Sequence, residues 1–183
     1  QDLSRNMRGH LRIHASQTVA NYWLPPYLTQ MHEKHSGVSI SLTVRNSEEV
    51  VAAVRAGAAD IGFVENEADV IGLKREMVAR DELVLVGARD NPALRKSEIT
   101  AGDYLSMRWI MREEGSGTRG IFARHLMDMG LATEDLHVVL ELPSNEAILA
   151  AIRQSQNVAM LSWRSIGPAR FRGLAIRRAM PET

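Results

Sequence analysis

Residues 11–64 read as strand, helix, strand, helix, strand, and that order constrains the fold more than any other feature of the chain. Leu11, Ile13 and Ala15 alternate with Arg12, His14 and Ser16, the two-residue period of a strand with one buried face. Val19 to Trp23 fits a short helical turn. Pro25-Pro26 then opens a helix through Leu28 and Met31 that stops at Gly37, because proline is tolerated in a first turn. Val38, Ile40, Leu42 and Val44 alternate with Ser39, Ser41 and Thr43 in a second strand. Ser47 reads as the N-cap of the next helix, with Glu48 and Glu49 in the first turn, where the helix dipole favours acids. Val50, Val51 and Val54 form that helix's apolar stripe up to Gly57, and Ile61 to Val64 is the third strand. Such alternation implies right-handed crossovers and a parallel sheet covered by helices, an α/β fold.

Two further strands are expected near Leu73 to Ala79 and Glu82 to Gly87, and the polar stretch Arg89-Asp90-Asn91-Pro92 reads as a crossing into a second lobe. That lobe repeats the theme. Strand Arg108 to Met111 leads through a glycine-rich turn to a helix with Phe122, Leu126 and Met129 on one face and Gly130 as its stop. Strand Leu136 to Leu142 follows, then a helix capped by Ser144 and carrying Ile148, Leu149 and Ile152. Strand Val158 to Leu161 comes next, followed by a return segment toward Leu174 to Ile176. Two similar lobes joined by crossings predict a ligand cleft between the subdomains.

Composition narrows the partners. At 183 residues the chain can bury a good core as one domain or as two small lobes. Lys plus Arg equals Asp plus Glu at 22 each, whereas a phosphate-backbone binder carries a basic excess, so this piece alone is not expected to grip DNA. Cysteine is absent, which excludes disulfides, thiolate chemistry and Cys-based zinc sites. Apolar runs such as Leu83 to Val86 are far shorter than the ~20 residues of a membrane span. Gln1 to Arg8 is polar and basic and does not resemble a secretory signal.

The sharpest chemical signal is Arg112-Glu113-Glu114-Gly115-Ser116-Gly117-Thr118-Arg119, a glycine-rich turn between a strand and a helix. Glycines allow a tight turn, and the unpaired N–H groups of the first helical turn then point at a common spot with the positive dipole end behind them. Ser116 and Thr118 add hydroxyls to this anion cradle; a plain capped helix is the bland alternative. Ser16-Gln17-Thr18 and Ser144-Asn145 are similar polar entrances at the carboxyl ends of strands, where open α/β sheets bind ligands. Taken singly each is more often a helix cap, so the inference rests on their convergence.

Two other chemistries compete for the same residues. Gly115-x-Gly117-x-x-Gly120, with Glu141 ending the following strand, matches a dinucleotide fingerprint formally. Against it, the motif opens a small second lobe with no room for two mononucleotide halves. His10, His14, His32 and His35 read as solvated residues. His125 and His137 lack a nearby acid or nucleophile, and Glu113-Glu114 reads as a turn, so neither an enzyme nor a metal centre is expected.

These residues also spell out a family. Leu11-Arg12-Ile13 through Ala15-Ser16-x-Thr18 and Tyr22-x-Leu24-Pro25-Pro26 resemble the opening of the LysR-type regulatory domain. Val44-x-Asn46-Ser47-Glu48-Glu49-Val50, Asp60-Ile61-Gly62-Phe63-Val64-Glu65, Asp81-Glu82-Leu83-Val84-Leu85-Val86, the Trp109 to Arg119 string and Glu146-Ala147-Ile148 continue the likeness in order. Coverage runs from about Gly9 to Leu161, and the Arg-Glu-x-Gly-Ser-Gly-Thr-Arg form is similar to the branch containing regulators of carbon fixation and sulfur assimilation.

The resemblance implies a two-lobed type-2 periplasmic-binding-protein-like α/β fold, with residues 9–88 and 163–183 in subdomain I, 89–162 in subdomain II, and 1–8 a linker remnant. It implies a cytoplasmic regulator with no resident cofactor, a small anionic metabolite or inorganic anion as effector, self-association as dimer or tetramer, and DNA contact only through an upstream winged-helix domain. Ser16, Gln17, Thr18, Ser116, Gly117, Thr118, Ser144 and Asn145 are the expected ligand contacts; Glu65, Glu113 and Arg119 are the structural candidates. His14, Pro143 and Ser155-Gln156-Asn157 depart from the family's glycines. The alternative reading is an extracytoplasmic solute-binding protein of a transporter.

Overall fold

The computed structural model describes residues 8–65, 71–170 and 173–178, with only the backbone given for 168–170. Residues 1–7 of the expected linker lie outside the described residues. By their contacts the residues divide into two compact units, Gln1–Glu76 and Met77–Thr183.

The first unit follows the sequence closely. Strand β1 (Gly9–Ser16) pairs in parallel with β2 (Val38–Arg45) and with β3 (Ile61–Phe63), in the order β2-β1-β3. Between β1 and β2 run a π-type helical turn, Val19–Trp23, and α1 (Pro25–Lys34), which begins on its two prolines. Ile13 and Ala15 meet Ala20 and Leu24 on one face of the sheet, with Leu28, Ile40 and Phe63 packed around them. On the other face lies α2 (Ser47–Arg55), so close that a Cβ on Gly62 would stand 2.8 Å from Val50 Cγ1 and Val54 Cγ2. Glycine at this position is a condition of the helix–sheet contact.

One expected cap moves. Asn46 caps α2, not Ser47: Asn46 Oδ1 accepts from Glu49 N at 2.8 Å, and Glu49 Oε2 accepts from Asn46 N at 3.2 Å, a reciprocal capping box. The expected strand over Leu73 to Ala79 is also absent among the described residues. Lys74–Glu82 has no regular structure, and the adjacent apolar residues Met77 and Val78 are 73% and 59% exposed. Alternation on paper becomes a strand only where a partner and a buried face exist.

The second unit is a five-stranded sheet in the order β6-β5-β7-β4-β8, built from β4 (Leu83–Ala88), β5 (Arg108–Arg112), β6 (His137–Leu142), β7 (Val158–Ser162) and β8 (Leu174–Arg178). Strands β4 and β8, assigned to subdomain I from the sequence, hydrogen-bond within this sheet; β4 runs antiparallel to both β7 and β8. All six residues of β4 are buried, as expected of an apolar run covered on both faces. Leu83, Leu85, Trp109, Met111 and Met160 face α3 (Ala101–Ser106) and α4 (Gly117–Asp128). Val84, Val86, Ile110 and Leu161 face α5 (Asn145–Ile152) and Ile166 of α6 (Trp163–Arg170). The two-residue period thus divides the strands' side chains between two cores, giving helix–sheet–helix layering.

Each unit also holds a carboxylate tightly. Asp60 accepts from Arg12 N at 2.8 Å and pairs with Arg12 Nη2 at 2.7 Å, and these contacts hold its carboxyl at about 2. Asp103 pairs with Lys96 and accepts from Thr100 N at 2.8 Å, and it too is held at about 2. Both values are depressed, so the stability they contribute is complete above the ordinary carboxylate pKa of about 4 and is lost as pH falls toward about 2. The urea midpoint should therefore fall more steeply over that window in the wild type than in Asp60→Asn or Asp103→Asn. Equal slopes would show that neither pair responds to pH.

Candidate functional site

The glycine-rich turn is where the second unit concentrates its buried polar groups. Strand β5 delivers Arg112 to the turn, and Gly115 reverses the backbone at φ 79°, a value glycine takes without strain. Helix α4 then begins at Gly117 with Ser116 as its N-cap, but the hydroxyl caps nothing. Ser116 is 4% exposed and its Oγ has no hydrogen-bond partner, at a helix end whose first N–H groups lack intrahelical acceptors. Thr118 is buried one residue into the helix, at 1% exposure.

Arg112 ties this helix start to the next one. Its Nε and Nη2 donate to Glu113 Oε2 and Oε1 at 2.7 and 2.8 Å, and Nη1 donates to Asn145 Oδ1 at 2.9 Å. Asn145 is fully buried at the first position of α5, where Ser144 Oγ accepts from Ala147 N at 3.1 Å. The bond to Arg112 fixes the Asn145 amide with its oxygen toward the guanidinium. Arg119 Nη1 donates to Arg112 O at 3.0 Å and pairs with Glu141, while Nη2 lies 3.7 Å from Glu114 Oε1. Glu113 and Arg119 therefore hold the frame together. Glu141, the acid of the formal dinucleotide fingerprint, is engaged by Arg119. A small recess opens here, lined by Arg112, Thr118 and Arg119 with Met111, Phe122 and Met160.

The sequence thus names Ser116, Gly117 and Thr118 at one helix start and Ser144 and Asn145 at another, and the structure joins the two through Arg112. The Arg112 bridge is not visible in the sequence, because nothing there shows which side chain joins two helices distant along the chain.

In the first unit, Ser16 is 1% exposed with its Oγ unpartnered, and Thr18 is equally buried; Gln17 between them is half-buried. Ser47 was missed here. The register opposes Ser16 to Arg45, so Ser47 emerges two residues later at the same carboxyl edge of the sheet. Ser47 is fully buried with an unpartnered Oγ. The signal that frees it is the pair Asn46 and Glu49, which closes a capping box without it. His14 and His35, read as solvated, each bury an unpartnered Nδ1. His125 Nε2 lies 3.2 Å from Tyr104 Oη, and burial pulls its pKa down and pushes the Tyr104 phenol up to about 12.

The chain is thus α/β in two units, each with buried hydroxyls at helix starts beyond strand ends. The LysR substrate binding domain profile matches residues 4–183, and the chain belongs to that family, with its two-lobed α/β fold. Among its relatives, the phosphonates import ATP-binding protein PhnC of Anaeromyxobacter dehalogenans is 39% identical over 160 residues, 86% of this chain and 32% of that protein. The uncharacterized HTH-type transcriptional regulator YeiE of Escherichia coli K12 is 34% identical over 166 residues, 91% of this chain and 55% of that regulator. The regulatory domain of CcmR from Synechocystis PCC6803, solved in complex with 2-PG, superimposes with a TM-score of 0.81 at 30% identity, over 92% of this chain and 80% of that one. The chain spans 32% of PhnC and about half the length of the HTH-type regulators, 54% and 55% of the first two.

Proposed function

We propose that this chain is the effector-sensing part of a LysR-type DNA-binding regulator and that it binds a small anion or anionic metabolite. Ser116, Gly117 and Thr118 with Ser144 and Asn145 supply the contacts in the second unit; Ser16, Gln17 and Thr18, joined by Ser47, supply those in the first. The carrying observation is Ser116 Oγ, buried and unpartnered at the start of a twelve-residue helix. A buried hydroxyl without a partner costs free energy, about 1–3 kcal/mol, and a bound oxyanion removes that cost by accepting a hydrogen bond from it. The bound 2-PG of the CcmR relative supports an anionic ligand class.

The ligand acts by favouring one arrangement of the regulator over another, so it must bind the two with different affinity. DNA contact belongs to an upstream domain, self-association to the assembled regulator, and the site of action to the cytoplasm. The domain is a receptor and turns over no substrate.

Thermal unfolding with sulfate, phosphate, small carboxylates and sugar phosphates tests this reading. A ligand at ~100 times its Kd adds ~2.7 kcal/mol of stability. Thr118→Ala should abolish the gain. Ser116→Ala should abolish it too, yet leave the unliganded protein equally stable or more so, because the hydroxyl it removes bonds nothing. A Ser116→Ala variant that loses stability while keeping ligand binding would assign the serine to structure alone.

A further inference from the structure

Three of the buried side-chain atoms left without a hydrogen-bond partner among the described residues belong to one end of the first sheet: His14 Nδ1, Ser16 Oγ and Ser47 Oγ. His14 and Ser16 alternate with Ile13 and Ala15, so both turn away from the core of Ile13, Ala15, Ala20 and Leu24 to the face that α2 covers. Ser16 ends β1 opposite Arg45, and Ser47 opens α2 two residues later at the same edge. His14 stands one pleat further in, and its neighbours show why its Nδ1 is idle. Gly62 on β3 has no side chain to offer, the α2 residues packed against Gly62 are the apolar Val50 and Val54, and Thr43 on β2 makes no bond to that nitrogen. Each idle polar atom costs free energy in the unliganded protein. The start of α2 adds its positive dipole end, and Glu49 turns its carboxylate back to Asn46 N in a capping box that closes without Ser47.

We propose that His14 is a further ligand contact of this chain, its Nδ1–H donating to the oxyanion group that Ser16 and Ser47 also bind. The inference rests on the anion reading above and adds to it a ring nitrogen where the chain departs from the family's glycine, a residue with no side chain to bond a ligand. A carboxylate or phosphoryl group has lone pairs enough to accept from all three donors at once. The ring also narrows the choice of ligand. A serine hydroxyl rotates to donate or accept, whereas an imidazole held with its proton on Nδ1 only donates there, so this corner of the first unit favours an acceptor group over a ligand hydroxyl.

Calorimetric titration of the whole chain with inorganic phosphate and with acetate, the phosphoryl and carboxylate forms of the group, tests it at one pH and fixed ionic strength. His14→Val removes the donor and is expected to weaken whichever anion binds by roughly tenfold or more, the worth of a hydrogen bond to a charged group. His14→Asn, whose Nδ2 takes the place of Nδ1, should stay within about threefold of the wild type. Nitrogen-15 NMR of the histidine rings needs no variant and reads the contact itself: saturating anion should move His14 Nδ1 to the resonance of a hydrogen-bonded N–H and leave His10 and His32 where they were. Unchanged affinity in His14→Val, or a His14 ring unmoved at saturation, would overturn the role of His14, while a loss of affinity in Ser16→Ala would keep the anion reading standing. Binding of neither ion to the wild type would remove that reading and this inference with it.

Discussion

Glu113→Gln should destabilise the second unit by about 3–5 kcal/mol, because it leaves the buried Arg112 guanidinium without its counter-charge. The geometry decides the size of the effect. Two parallel N–H···O bonds of 2.7 and 2.8 Å join the fork of Arg112 to both oxygens of Glu113, and Arg112 itself is 4% exposed, so water cannot substitute for the lost carboxylate. Glutamine removes the charge and one of the two acceptors, and sets an amide N–H donor against an arginine N–H. Adding Arg112→Met to Glu113→Gln should recover part of the loss, since the uncompensated charge is gone while Asn145 Oδ1 loses its Arg112 donor. Urea unfolding of the two single variants and the double variant gives the coupling directly. A loss under about 1 kcal/mol for Glu113→Gln, with no recovery in the double variant, would mean that the pair behaves as an exposed one.

Trp109→Ala is the second large effect, about 3–5 kcal/mol of the same unit's stability. Trp109 is fully buried at the centre of the first core, with ring centroids 5.3 Å from Tyr104 and 4.9 Å from Phe122. Its Nε1 donates to Tyr104 O at 2.9 Å, so removing the indole also strips a buried carbonyl of its partner. Trp109→Phe restores most of the volume and none of the donor, and should recover roughly two-thirds of the loss. Denaturation monitored at the other tryptophans, Trp23 and Trp163, would report it; a small loss for Trp109→Ala would show that neighbouring side chains close the space.

Most of the architecture was legible because the first sheet is written in period two, the second in short apolar runs, and the helices between the strands in apolar stripes. The β1 to β3 segment was read nearly to the residue, and Ser144 and Gly130 marked the start of α5 and the stop after α4. What failed had local causes. Asn46 and Ser47 are both good caps, and only the reach of Glu49 back to Asn46 N separates them. Leu73 to Ala79 alternates weakly, and nothing local says that it lacks a strand to pair with. Helix starts made the site visible as a set of Ser, Thr and Asn residues. Its charge balance was not visible, because Arg112, Asn145 and Glu141 come together only in the folded chain.

The strand order of the second unit bears on how the chain is made. The described three-stranded sheet has all its members once Phe63 has been synthesised, but β4 finds β7 only after Val158 and β8 only after Leu174. Through that interval Leu83 to Val86, four consecutive apolar residues, has neither neighbour. A nascent chain therefore carries a sticky, unpaired segment while about seventy further residues leave the ribosome, an aggregation hazard that the finished protein conceals entirely.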